Sequence, residues 1–137
     1  MELMFENQNF SEEEVVLMPI TSLAFVGDAF FTLYARTKVL DKHSKSGSFH
    51  KKATNLVNAH SQSEFLEILK PTLTETEQSL VRRARNSHTS SKSKNSGLAD
   101  YKRSTAFETL LGYLFLTKKF ERLNEILNLL FKEKTQW

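Results

Sequence analysis

The chain is 137 residues long, with 39% hydrophobic and 26% charged residues, enough for one soluble domain with a substantial core. It has no cysteine, which excludes disulfides and thiolate metal sites; its histidines at 43, 50, 60 and 88 lack zinc-like spacing, and no apolar run is long enough to span a bilayer. The net charge of +3 hides an uneven spread: Glu2, Glu6, Glu12, Glu13 and Glu14 crowd the start, while two later stretches are basic.

The acidic start lacks the basic-then-apolar layout of a signal peptide, so a cytoplasmic location is expected. Residues 1–18 are expected to be loosely ordered. Pro19 suits the first turn of a helix, where its missing N–H costs nothing. From there Ile20, Leu23, Ala24, Gly27, Phe30, Phe31 and Tyr34 recur at spacings of three and four, which predicts a helix running to about Leu40. Between Val15 and Ala35 its only charge is Asp28, directly after Gly27.

A second helix fits 49–60. Ser61 with Glu64 forms a capping-box pattern, so a third helix is expected to start there and end before Pro71. Thr74 with Glu77 repeats the pattern and opens a helix through Arg82, Arg83, Arg85 and Asn86. Residues 87–100 are rich in serine and carry Lys92 and Lys94, which reads as a flexible basic loop. Two last helices are expected at about 103–117 and 119–134. Strand-type alternation and internal repeats are absent, and the predicted fold class is all-α, one domain over 1–137.

Glu108 repeats the situation of Asp28. It is the only acid in "YKRSTAFETLLGYLFLT", and Gly112 follows it by one turn. An unpartnered buried carboxylate is costly and tends to become neutral. A glycine inside a helix costs about 1 kcal/mol relative to alanine, and close approach of another backbone is a common reason to keep one. Two glycines, each beside the lone acid of its helix, would let the helices cross closely and bring Asp28 and Glu108 together. Compensation could come from an Arg or Lys, as in a structural ion pair, from hydrogen bonds, or from a cation such as Mg²⁺. The basic stretches hold Arg36, Lys38, Lys42, Lys45, Lys51 and Lys52, then Arg82, Arg83, Arg85, Lys92, Lys94, Lys102 and Arg103. They can gather phosphates or form a solvated face.

These residues also carry a family likeness. "LAFVGDAFFTLYAR" (23–36), "HKKAT" (50–54), "RRARN" (82–86) and "YKRSTAFETLLGYLFL" (101–116), in that order, resemble the Mini-III ribonucleases, short relatives of ribonuclease III. The likeness covers roughly 19–131. In ribonuclease III proper the first motif reads "LEFLGDA" and the second "DxFEAL"; here Ala24 and Thr105 replace two of the four acids, and Asp28 and Glu108 remain. This reduced pair is the Mini-III pattern.

The resemblance implies a homodimeric, Mg²⁺-dependent endoribonuclease, with Mn²⁺ as a substitute ion and no organic cofactor. It implies cleavage of double-stranded RNA, with precursor large-subunit ribosomal RNA as the usual substrate. Asp28 and Glu108 would be the catalytic metal ligands. Lys51, Lys52, Arg82, Arg83, Arg85 and Asn86, with Lys92 and Lys94 of the loop, would hold RNA. The chain ends soon after its last helix, so no separate RNA-binding domain is expected. Phe25, Val26, Ala29, Phe30 and Leu33 surround the Asp28 helix with apolar surface, as expected of a helix covered on all sides, part of that cover coming from a second subunit. The alternatives are a non-catalytic helical protein that binds structured RNA and a helical DNA-binding protein; the latter lacks helix-turn-helix spacing.

Overall fold

The computed structural model describes residues 3–40, 46–87 and 97–131. Among them are only helices and turns: α1 (Glu12–Val16), α2 (Ile20–Lys38), α3 (Ser46–Val57), α4 (Ala59–Leu69), α5 (Glu75–Ser87), α6 (Gly97–Leu116) and α7 (Phe120–Phe131), with 3₁₀ turns at Leu3–Phe5 and Lys70–Thr72. The expected all-α class holds.

The centre of the fold is α6. Its buried residues include Ala106, Phe107, Thr109, Leu110, Leu111, Gly112, Tyr113 and Leu114; the unbroken run 109–114 covers every side of the helix, which is the signature of an enveloped helix. Helices α2, α4 and α5 pack around it. The apolar sequence of α2 predicts cover on every side, part of it from a second subunit; within one chain α2 is covered on one side only. Helix α2 buries one stripe, Ile20, Leu23, Gly27, Phe31 and Ala35, and leaves Phe25 80% and Leu33 62% exposed. Rings lock the layers together: Phe31 meets Phe107 edge-on at 5.1 Å and Phe65 at 6.0 Å, and Phe65 meets Phe131 at 5.2 Å. Such pairs contribute about 0.5–1.5 kcal/mol each beyond area burial.

The N-terminal segment is tied down, contrary to expectation. Ser11 and Glu14 form a capping box at the start of α1, and Val15 is fully buried. Glu12 accepts the Tyr113 hydroxyl at 2.9 Å and pairs with Lys119 at 3.1 Å. These partners lie a hundred residues away, beyond the reach of any local pattern.

Helix α4 begins earlier than the Ser61–Glu64 pattern suggests. Asn58 is its cap, its side chain accepting from Ser61 N at 2.8 Å, and Asn is among the strongest caps. Glu64 pairs instead with His60 at 3.2 Å. The Thr74–Glu77 box does form. Glu77, buried, is also gripped twice by Arg122, at 2.9 and 2.8 Å, and Arg122 donates to the Thr72 carbonyl at 3.0 Å. This joins the start of α5 to α7.

Helices α2 and α6 cross at two glycines. A Cβ on Gly27 would overlap the Glu108 carbonyl and sit 2.9 Å from Gly112 N; one on Gly112 would overlap the Leu23 carbonyl and sit 3.1 Å from Gly27 N. Backbone, not a flexible side chain, occupies the space. Gly27→Ala and Gly112→Ala are therefore expected to lower stability by about 3 kcal/mol, measured by urea unfolding; a loss under about 0.5 kcal/mol for both would contradict so tight a crossing.

Candidate active site

The crossing places the acids. Asp28 follows Gly27 on α2, and Glu108 precedes Gly112 by one turn on α6, its own carbonyl being the group that Gly27 leaves room for. The two carboxyl groups come within hydrogen-bonding reach of each other, as the sequence pattern suggests. Their environments differ. Asp28 is exposed and Glu108 half-buried, so the picture of two acids stranded in apolar surroundings applies only to Glu108. Asp28 escapes burial because α2 packs on one face only.

Burial, then the charge of Asp28 and the hydrogen bond with it, push the Glu108 carboxyl up to about 8, while a hydrogen bond from Gln62 acts in the opposite sense. Like charges held together disfavour double ionisation. A pair of hard oxygen donors in this state suits a hard divalent cation, which would offset the charge that the fold itself does not. No group of three or more His, Cys, Asp and Glu suited to a metal occurs among the described residues. The pair therefore fits an ion that takes its remaining ligands from water and phosphate, as Mg²⁺ commonly does. Ala24, one turn before Asp28, adds no donor, and the Thr105 hydroxyl donates to the Tyr101 carbonyl at 3.0 Å.

The basic candidates separate. Lys51, Arg82 and Asn86 are exposed, while Lys52 and Arg85 are partly covered. Arg82 and Arg85, three residues apart on α5, line one recess with Lys70. Arg83 points elsewhere, and its guanidinium donates to the carbonyls of Val16 and Met18, both at 2.9 Å. It ties the α1–α2 junction to α5. Lys92 and Lys94 lie outside the described residues. Of the apolar set around Asp28, Phe25, Ala29 and Leu33 are exposed, whereas Phe30 packs on Phe115 at 5.6 Å. Phe25 and Val26 line an apolar recess with Phe10, Met18 and Leu116.

Sequence reading missed Gln62. It is 2% exposed and reaches Glu108. The available signal was its register on α4, four and seven residues before the buried Leu66 and Leu69. His60 is on the surface and joins Asp100 at 3.0 Å, linking the start of α4 to the first turn of α6.

The model of the ribonuclease III domain matches residues 21–119. The chain belongs to the ribonuclease III domain family. Within it, the chain is 34% identical over 137 residues to Mini-ribonuclease 3 of Clostridium tetani, covering 96% of this chain and 91% of that protein. It is 42% identical over 110 residues to Mini-ribonuclease 3 of Brevibacillus brevis, covering 80% and 82%. A crystal structure of a protein from Fusobacterium nucleatum superposes with a TM-score of 0.73 at 29% identity, covering 86% of this chain and 96% of that one. As a ribonuclease III domain of the Mini-III type, the chain is an endoribonuclease, and the acid pair lies inside the matched span.

A pH dependence follows. The Glu108 carboxyl titrates near 8 in the fold and about 4.3 in an unfolded chain. Folding thus favours its neutral form: the contribution is fully present below about pH 4 and is lost as pH rises towards 8. In EDTA, the thermal midpoint of wild type should fall more steeply between pH 5 and 8 than that of Glu108→Gln. Parallel curves would show that Glu108 is not so perturbed.

Proposed function

We propose that this endoribonuclease cleaves double-stranded RNA in a reaction that depends on Mg²⁺, acting as a homodimer in the cytoplasm. The observation that carries the reading is the Asp28–Glu108 pair at the glycine crossing. Two carboxyl groups forced together at a site open to solvent on the Asp28 side add no stability of their own, and they match the donor set for a divalent ion. Asp28 and Glu108 would hold Mg²⁺, which when bound supplies Lewis-acid charge at the scissile phosphate and lowers the pKa of water. Glu108 orients from the buried side and Asp28 from the open side, where the RNA backbone would approach.

RNA duplexes are recognised largely by backbone shape and 2′-hydroxyls. Arg82 and Arg85, which line one recess, would take phosphates together, with Lys51, Lys52 and Asn86 as further contacts. Precursor large-subunit ribosomal RNA is the substrate that the Mini-III likeness favours. The dimer reading rests on α2: Phe25 and Leu33 leave large apolar surface in water on the helix that carries Asp28, and exposed apolar surface of this kind marks interaction sites.

Asp28→Asn and Glu108→Gln should each lower cleavage of a long RNA duplex by about 10²-fold or more, the scale of losing several kcal/mol of transition-state stabilisation. EDTA should stop wild-type cleavage, and undiminished activity in EDTA would sink the metal model. Replacing Arg82 or Arg85 by Ala should lower the salt slope of duplex binding by about 1 each. Arg83→Ala should instead cost about 1–3 kcal/mol of stability, for hydrogen bonds from a charged donor, with the slope unchanged; a reduced slope for Arg83→Ala alone would reverse these assignments. Phe25→Asp should shift a dimer to monomer in sedimentation, and a wild-type monomer would remove the dimer reading.

A further inference from the structure

Gln62 occupies a core position. It belongs to the buried stripe of α4 with Ser63, Leu66 and Leu69, where a leucine would pack without polar atoms to satisfy. Its amide nitrogen donates to the Val57 carbonyl at 2.9 Å, across the break between α3 and α4. That contact fixes which end of the amide is nitrogen, because the Val57 carbonyl can only accept and an oxygen facing it would repel. The same carboxamide lies against Glu108 and favours its charged form. Its oxygen has no hydrogen-bond partner, and a buried unpartnered acceptor costs about 1–3 kcal/mol. As a core element, then, Gln62 is a burden. As a support for Glu108, it is a donor held rigidly behind a carboxyl group.

We propose that Gln62 is a positioning residue of the acid pair: anchored on Val57, its carboxamide holds the Glu108 carboxyl in the orientation that binds the cation. The proposal rests on the reading of Asp28 and Glu108 as metal ligands. Partners behind a metal ligand typically change metal affinity 10- to 100-fold when removed. A residue that merely packed would change folding and leave metal affinity alone.

The test is calorimetric titration of the full chain with Mn²⁺ without RNA, comparing wild type, Asp28→Asn and Gln62→Met, which keeps the length and apolar volume but loses the donor. Thermal midpoints in EDTA and duplex affinity in EDTA are measured in parallel. Gln62→Met is expected to bind Mn²⁺ 10- to 100-fold more weakly, with a thermal midpoint near wild type, because loss of the donor to Val57 offsets removal of the unpartnered oxygen, and duplex affinity within about twofold. The Mg²⁺ concentration for half-maximal cleavage should rise in step, with excess Mg²⁺ restoring most of the rate. Wild-type Mn²⁺ affinity in Gln62→Met, alongside loss of binding in Asp28→Asn, would overturn the role of Gln62 and leave the metal site standing. Absence of Mn²⁺ binding in wild type would overturn both. Should Gln62→Met fail to fold, Gln62→Asn, which keeps the amide but shortens its reach, is held to the same outcomes.

Discussion

The site depends on the approach of two backbones. Helices α2 and α6 touch where neither carries a Cβ, and each glycine makes room for a carbonyl of the opposite helix. Any other residue at Gly27 or Gly112 would push the helices apart and separate the groups they carry. Asp28 and Glu108 meet because each stands beside one of these glycines. The fold accepts two weakened helix positions, at about 1 kcal/mol each, and a pair of acids that repel. The offset comes from elsewhere: the aromatic layer around Phe31, and the buried Glu77–Arg122 pair that joins α5 to α7.

The acid pair is asymmetric because the helices bearing it are. Helix α6 is enveloped, so Glu108 is half-buried and its proton is held tightly. Helix α2 lies on the outside of the described chain, so Asp28 faces water. The two carboxyl groups therefore have different roles open to them, one fixed by its surroundings and one accessible to a ligand. The exposed apolar residues of α2 flank the accessible acid. Burial of Phe25 and Leu33 by a second copy, as proposed, would bring that copy beside Asp28.

Much of this was legible in the sequence, and for identifiable reasons. A glycine within an apolar helix and a lone charge in the same turn both break a pattern, and each break has few physical explanations. Two matching breaks pointed to the crossing. Gln62 was missed because a glutamine in a helix with a polar face breaks nothing; only its register with Leu66 and Leu69 set it apart. Arg82 and Arg83 are adjacent and chemically alike, yet a rotation of about 100° per residue sends one to a recess with Arg85 and the other to the carbonyls of Val16 and Met18. The Ser61–Glu64 box was a sound local pattern displaced by Asn58, which caps one turn earlier.

By itself, the sequence determined the all-α class, the long helices apart from the start of α6, which begins at Gly97 inside the stretch expected as a loop, and the two glycines and two acids, because helical periodicity and the cost of a stranded charge act over a few residues. Only the tertiary structure decided that α6 rather than α2 is enveloped, that Asp28 is open while Glu108 is covered, that residues 3–18 are anchored, and that Gln62 stands behind Glu108. Those outcomes depend on which surfaces meet across long stretches of chain, and burial is a property of such meetings rather than of any residue's neighbours in sequence.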